Sequence, residues 1–264
     1  MTVPDPGDTV ARLRAAGCVF AEDEAAVLLE AASTREQLQS LVERRVAGEP
    51  LEVVVGWVDF YRMRWAVDAG TFVPRRRSEL LVREAVGLVG DGSVVVELCA
   101  GVAAIAGAIA ATVRGARVYA AELDPIAVAT ARRNLPADTV FEGDLYAALP
   151  SGLRGGITLL VANAPYVPTA AIPLMPPEAR EHEPRLALDG GGDGLDVQRR
   201  VVAEAPAWLA PGGWLLVETS EEQSPRTAAL FEEAGFVTRV ARDDELDATA
   251  VVGQLVGPTV TEPG

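Results

Sequence analysis

From residue 78 onward the chain alternates short apolar runs with stretches of helical period, and this alternation limits the fold more than any other feature. Strand-like segments fall at residues 94–98, 116–122, 139–142, 157–163, 214–219, 236–240 and 250–255. Helical stretches fill 78–89, 103–113, 125–135, 195–208 and 225–234, the third with Pro125 in its first turn, where a missing N–H costs nothing. Repetition of βαβ units builds a mostly parallel, doubly wound α/β sheet. The link between the last two strands, residues 241–249, is too short for a helical crossover, so the final strand is expected to run antiparallel.

Ahead of the alternation lie two further regions. Residues 9–47 read as short helices: Asp8 or Thr9 is placed to cap the first, Gly17 to end it, and Val27, Leu28, Leu38, Leu41 and Val42 supply apolar faces for the next two. Residues 51–55 and 61–67 read as strands; in the second, Tyr61, Met63, Trp65 and Val67 alternate with Arg62, Arg64 and Ala66. A hairpin with its turn around residues 56–59 joins them. The expected domains are a helical cap (1–48), a β-hairpin linker (49–77) and an α/β domain (78–264).

The composition narrows the function. Lys plus Arg number 23 against 38 Asp plus Glu, a net charge of −15, whereas a nucleic-acid groove needs a basic surface. Cys18 and Cys99 stand far apart, which argues against a disulfide framework or a cysteine metal site. His182 is the single histidine, so no multi-histidine metal site exists and no metal is expected. Residues 1–8 are polar and proline-rich, unlike a signal peptide, and no apolar run is long enough to span a bilayer. A cytoplasmic protein without membrane or nucleic-acid partners is the expectation.

Ligands of doubly wound sheets bind beyond the carboxyl ends of the strands. Four features sit there. After the first strand comes Glu97-Leu98-Cys99-Ala100-Gly101-Val102-Ala103, where Gly101 lets backbone approach a ligand closely. Glu122 ends the second strand, placed either to accept both hydroxyls of a ribose or to stand as an exposed carboxylate. Gly143-Asp144-Leu145 follows the third; Asp144 suits an exocyclic amine and Leu145 the face of a base. The fourth strand ends in Asn163-Ala164-Pro165-Tyr166. An Asn at a strand end offers one acceptor and two donors on a rigid support, Pro165 holds Ala164 extended, and Tyr166 supplies a flat wall. The plainer reading is a strand that stops there. The Walker sequence is absent and a single-glycine turn is a poor pyrophosphate cradle, so a nucleoside without phosphates fits better than a dinucleotide. The long segment 167–194, rich in Pro and Gly, lies beside Asn163 and is placed to shape a substrate entrance.

On these motifs the chain resembles the protein-(glutamine-N5) methyltransferases that modify peptide chain release factors. Their Asn-Pro-Pro-Tyr is matched by Asn163-Ala164-Pro165-Tyr166, an Ile/Val-Pro-Arg segment by Val73-Pro74-Arg75 with Glu79 following, a downstream Glu-Pro by Glu183-Pro184, and the ending by Arg242-Asp243-Asp244-Glu245. The likeness covers residues 48–253 and a helical cap of similar size. The departures are Glu97 for Asp, Cys99 and Ala103 for glycines, Val102 for a small polar residue, Ala164 for the first Pro of the clamp, and Arg76-Arg77 for Pro-Glu. A Cβ at Cys99 penalises a positive φ, whereas the Ala103 position serves mainly helix–strand packing.

The resemblance implies a Rossmann-like class I methyltransferase with a seven-stranded sheet and S-adenosylmethionine as cofactor. It places Glu97, Cys99, Ala100, Gly101, Val102, Glu122, Leu123, Asp144, Leu145 and Asn163 at the cofactor. Asn163, Ala164, Pro165 and Tyr166 form the catalytic clamp, and Arg75, Tyr166 and Glu183 meet a protein substrate such as a release factor. Asn163 Oδ1 and the Ala164 carbonyl would accept the two amide hydrogens of a glutamine. Two alternatives stay open: methylation of a small metabolite or peptide natural product, and cofactor binding without catalysis. Oligomeric state is not legible.

Overall fold

In the segment Val94–Leu98 every residue is buried, and the side chains divide by the two-residue period of a strand: Val94, Val96 and Leu98 enter one apolar layer, Val95 the other. A strand covered on both faces needs helices on both faces. The computed structural model, which describes residues 6–256, supplies them.

The chain begins with α1 (Pro6–Ala15), α2 (Ala21–Ala31), α3 (Arg35–Val46) and α4 (Leu51–Val55), followed by the hairpin β1 (Trp57–Phe60) and β2 (Met63–Ala66). Then come α5 (Glu79–Leu88), β3 (Val94–Leu98), α6 (Ala104–Thr112), β4 (Arg117–Glu122), α7 (Pro125–Asn134), β5 (Val140–Glu142) and β6 (Ile157–Ala162). The short helices α8 (Pro177–His182) and α9 (Arg185–Leu188) precede α10 (Asp196–Trp208), β7 (Leu209–Thr219), α11 (Ser224–Glu233), β8 (Phe236–Asp243) and β9 (Ala248–Leu255). The large sheet runs β5-β4-β3-β6-β7-β9-β8, and β9 is antiparallel to both neighbours, as the short 241–249 link required. α5, α6 and α7 contribute to one apolar layer, α10 and α11 to the other. Each buried Val or Leu contributes about 1.5–3 kcal/mol, so the two layers dominate the stability.

Three local expectations fail. Residues 51–55 form α4, not a strand. Gly56, at φ 84°, closes it with a left-handed cap, while Val54 joins the core of the helical cap and Val53 the core of the α/β domain. Burial on two sides overrides the β preference of a valine run. The hairpin turn is Tyr61-Arg62 rather than residues 56–59. Both residues have positive φ (49° and 64°), the twist a two-residue hairpin demands, and Phe60 pairs with Met63. Asp8 and Thr9 lie inside α1, which starts at Pro6, and the residue before that helix is outside the described ones. Segment 167–194 is also more ordered than a loop. It contains a 3-10 turn (Thr169–Leu174), α8 and α9, and is tied back by a Val167–Asp189 bridge.

Two contacts fix the hairpin against the site. A Cβ on Gly107 of α6 would stand 2.3 Å from the Trp65 ring, so only glycine lets Trp65 dock there. Asn134, the last residue of α7, accepts from the Ala66 N–H (2.8 Å) and donates to the carbonyls of Ala66 (3.0 Å) and Val102 (2.8 Å). One side chain thus joins the hairpin to the turn after β3. The helical cap reaches the 167–194 segment through Arg45, which pairs with Glu24 at 2.7 Å and Glu178 at 3.6 Å.

Candidate active site

A cavity of about 340 Å³ opens at the carboxyl ends of β3, β4, β5 and β6. Its first wall is the turn from β3 to α6. Cys99, Gly101 and Ala103 all take left-handed backbone, with φ 52°, 55° and 59°. The turn therefore keeps a three-glycine conformation with one glycine. Ala103 is not merely a packing residue, as the sequence suggested: it carries the same backbone penalty as Cys99, of about 1–2 kcal/mol. A Cβ on Gly101 would meet no atom within 4 Å, so a side chain there would stand in the cavity. Val102, which stands in place of a small polar residue, is 1% exposed and belongs to the core; Ala100 is also buried.

Two buried carboxylates stabilise this wall. Glu97 Oε2 accepts the Ala106 N–H at 2.7 Å, fixing the start of α6. Glu122 is 9% exposed, which removes the reading of an exposed carboxylate. Its Oε2 accepts the Gly101 N–H at 2.7 Å, and its Oε1 accepts those of Leu123 and Asp124, both at 2.8 Å. Burial pushes both carboxyls up; the Ala106 N–H opposes this at Glu97, and the Asp124, Gly101 and Leu123 N–H groups oppose it at Glu122. Burial also pushes the Cys99 thiol up, so it is no ready nucleophile. Leu123 is exposed over the opening, and Leu145, at φ 48°, is buried in its wall. Asp144 is not free: its carboxylate pairs with Arg200 at 2.7 Å.

The second wall belongs to the end of β6. Asn163 is half-buried, Ala164 and Pro165 are buried, and all three line the cavity with Tyr166. Asn163 Nδ2 donates to Ser78 Oγ at 3.1 Å, while its Oδ1 accepts no hydrogen bond among the described residues. The Tyr166 hydroxyl donates to Glu218 Oε1 at 3.3 Å, and its carbonyl accepts from Gln223 Nε2 at 3.0 Å. Burial and the Glu218 charge hold the Tyr166 hydroxyl well above its ordinary pKa, so it stays neutral. At the rim, Arg75 pairs with buried Glu183, whose Oε1 also accepts the Val73 N–H at 3.3 Å and whose Oε2 has no partner.

Every residue singled out in the sequence for cofactor, clamp or substrate borders this one cavity. Ser78, Glu218, Gln223 and Arg200 went unnoticed. Only Glu218 left a trace, as a charge in the apolar run 214–217 and its end. Trp57, Trp65, Trp208 and Trp214 do not line the cavity; Trp57 packs under Arg64 at 3.8 Å. No cluster of metal-ligating residues occurs among the described residues, and no helix there is long and apolar enough to cross a membrane.

Comparison with known proteins assigns the chain. It is 37% identical over 223 residues to the release factor glutamine methyltransferase of Geobacter sulfurreducens, covering 83% of this chain and 78% of that one. The corresponding enzyme of Streptomyces coelicolor is 38% identical over 211 residues, 77% and 75% of the two chains. The chain belongs to the release factor glutamine methyltransferase family. It is an S-adenosylmethionine-dependent methyltransferase. A 4-amino-L-phenylalanine/4-methylamino-L-phenylalanine methyltransferase of Streptomyces pristinaespiralis is equally similar, 38% identical over 203 residues, 74% and 69% of the chains. No protein-family model matches. Among solved structures, a methyltransferase from Pyrococcus furiosus (TM-score 0.51, 15% identity, 67% of this chain and 83% of that chain) shares the fold. So does the E. cuniculi Mtq2-Trm112 complex (TM-score 0.50, 21% identity, 71% and 99%).

Proposed function

We propose that this methyltransferase transfers a methyl group to the side-chain amide nitrogen of a glutamine in a protein, with a peptide chain release factor as the acceptor. The observation that carries the reading is the polarity of the clamp. Asn163 Nδ2 donates to Ser78, its Oδ1 accepts no hydrogen bond among the described residues, and Asn163 and Ala164 both line the cavity; on this reading Oδ1 and the Ala164 carbonyl are the groups turned to the acceptor. Two acceptors side by side suit a group with two N–H bonds, and a primary carboxamide has them.

The cofactor wall fits S-adenosylmethionine. Glu122 is a buried acceptor at the end of β4, the place of a ribose, and the Gly101 position leaves room that any side chain would fill. Glu97, Cys99, Ala100, Val102, Leu123, Asp144 and Leu145 complete that wall, with Asp144 reaching the ligand only beside its Arg200 partner. The bound cofactor supplies an electrophilic methyl group on a sulfonium.

The chain supplies position. An amide nitrogen is a weak nucleophile because its lone pair is delocalised into the carbonyl. Asn163 Oδ1 and the Ala164 carbonyl accept the two amide hydrogens and turn the lone pair toward the methyl donor. Tyr166 closes the side of the amide plane, held by Glu218 and Gln223. As nitrogen took the methyl, the thioether would leave and the nitrogen would give up one of its two hydrogens as a proton to solvent; once methylated that nitrogen is acidic, so no step needs a strong base and the barrier falls through orientation and the exclusion of bulk water. Arg75, held by buried Glu183, stands at the rim to meet polypeptide backbone next to the glutamine.

The equally similar aminophenylalanine methyltransferase keeps a second acceptor in play, a small primary amine, which also has two N–H bonds. Peptide mapping by mass spectrometry of a release factor incubated with the protein and S-adenosylmethionine separates the two. A methyl on the glutamine of its Gly-Gly-Gln tip is expected; an unmodified release factor together with a methylated aromatic amine overturns the reading.

A further inference from the structure

Behind the clamp, on β7, lies a buried carboxylate that the account above uses only to hold Tyr166. Glu218 is 2% exposed. It reaches the two halves of the clamp differently, Tyr166 directly and Asn163 through Ser78. Its Oε1 accepts the Tyr166 hydroxyl at 3.3 Å, and the Ser78 hydroxyl faces the same carboxylate. Ser78, itself 2% exposed, accepts Asn163 Nδ2 at 3.1 Å. Arg77 Nε lies 3.7 Å from Oε1, and Oε2 has no partner in hydrogen-bonding geometry. Burial pushes the carboxyl up, while Ser78, Arg77 and Tyr166 favour its charged form.

The chain of contacts has a direction. The two ends of an Asn side chain are nearly the same shape, so only the polarity of its neighbours decides which end points where. An ionised carboxylate only accepts. Beside that acceptor the Ser78 hydroxyl, close enough to favour the charged carboxylate though not aligned with it as a hydrogen bond in the structure, gains by rotating its single proton toward Glu218. Its oxygen is left as an acceptor, and an acceptor can hold only the Nδ2 end of Asn163. The Oδ1 end is thereby turned into the cavity. With the carboxylate replaced by an amide, its N–H can donate to Ser78. The Ser78 proton is then free to go to Asn163 Oδ1, and the clamp presents N–H where it should present an acceptor.

We propose that Glu218 is a positioning residue that sets the orientation of the Asn163 amide through Ser78 and holds Tyr166 directly, so that the clamp faces the acceptor with an oxygen. This rests on the acceptor reading above. Glu218 touches neither the acceptor nor the cofactor.

The test uses four proteins: wild type, Glu218→Gln, Ser78→Ala and the double variant. Each is assayed for turnover on the release factor, for cofactor affinity by calorimetry and for Tm. Glu218→Gln is expected to lower kcat by about tenfold, with cofactor Kd within about twofold of wild type. Removing the Ser78 hydroxyl removes the wire, so the double variant should be no slower than Glu218→Gln alone. Losses that multiply across the two sites overturn the proposal. So does wild-type kcat in Glu218→Gln, or a fall in cofactor affinity as large as the fall in turnover. Should Glu218→Gln fail to fold, Ser78→Ala alone decides: a kcat loss of several-fold at unchanged cofactor Kd supports the relay, and unchanged kcat rejects it. A wild-type protein that leaves the release factor unmethylated sinks the acceptor reading and this inference together, whereas an active wild type with independent variants sinks only the inference.

Discussion

The turn after β3 and the clamp after β6 face each other across one cavity and have diverged from their family in opposite ways. The turn has lost two of its three glycines, yet Cys99, Gly101 and Ala103 hold nearly the same left-handed φ. The clamp has kept Asn163 and Tyr166 and changed only Ala164, a position to which the proposed function gives a role through its backbone carbonyl alone. A wall that acts through backbone tolerates new side chains as long as the path of the chain survives. A wall that acts through a side chain does not. The cost on the first wall is strain, which Glu97, bound to the Ala106 N–H, and Asn134, bound to the Val102 carbonyl, help the turn to carry.

The sharpest way to break this contrast is to fill the turn. Gly101→Val places a β-branched side chain at φ 55° and into the open cavity. Cofactor affinity by calorimetry should weaken at least about 100-fold, ~2.7 kcal/mol, with the fold intact by circular dichroism. Retained affinity would show that the cofactor does not approach this backbone. Next in size is Asn163→Ala, which removes a side-chain acceptor and leaves the backbone. Turnover should drop at least about tenfold, ~1.4 kcal/mol, while cofactor Kd changes little; the reverse pattern would exchange the roles of the two walls. Glu122→Gln tests a side chain on which the backbone wall depends. An amide places N–H against one of the three N–H groups that Glu122 accepts. Cofactor affinity should fall by about five- to tenfold, and kcat at saturating cofactor should hold. The smallest effect is Cys99→Gly. Relief of left-handed strain outweighs the lost burial of a partly exposed thiol by about 0.5–1 kcal/mol, so Tm rises by about 2 °C. A lower Tm would mean that the thiol packs better than its backbone suffers.

The sheet was legible because its central strands β3 and β6 are apolar on both faces and α7 carries a cap and a proline at Asp124-Pro125, where the Asp124 side chain accepts the Ile126 N–H at 2.8 Å. The errors fall where two neighbours compete for one short segment. Residues 51–55 have the composition of a strand, but they form a helical turn closed by Gly56, with Val54 buried in the core of the helical cap and Val53 in that of the α/β domain. The Tyr61-Arg62 turn contains no glycine or asparagine, so nothing in the local chemistry announces two positive φ values. At the site, residues at strand ends were visible because topology puts them there. Ser78 and Glu218 were not, since a hydroxyl at a helix start and a glutamate at a strand end acquire meaning only when β7 places one beneath the other. Asp144 was legible as a strand-end carboxylate, but its Arg200 partner is contributed by α10, distant in sequence.

The most direct test of the clamp is a competition. Wild-type protein, S-adenosylmethionine with an isotopically labelled methyl group, an unmodified release factor and 4-amino-L-phenylalanine are combined, and the label is located by mass spectrometry. The geometry of Asn163 Oδ1 and the Ala164 carbonyl predicts label on the glutamine amide of the release factor. Label confined to the aromatic amine, with the glutamine untouched, would contradict it.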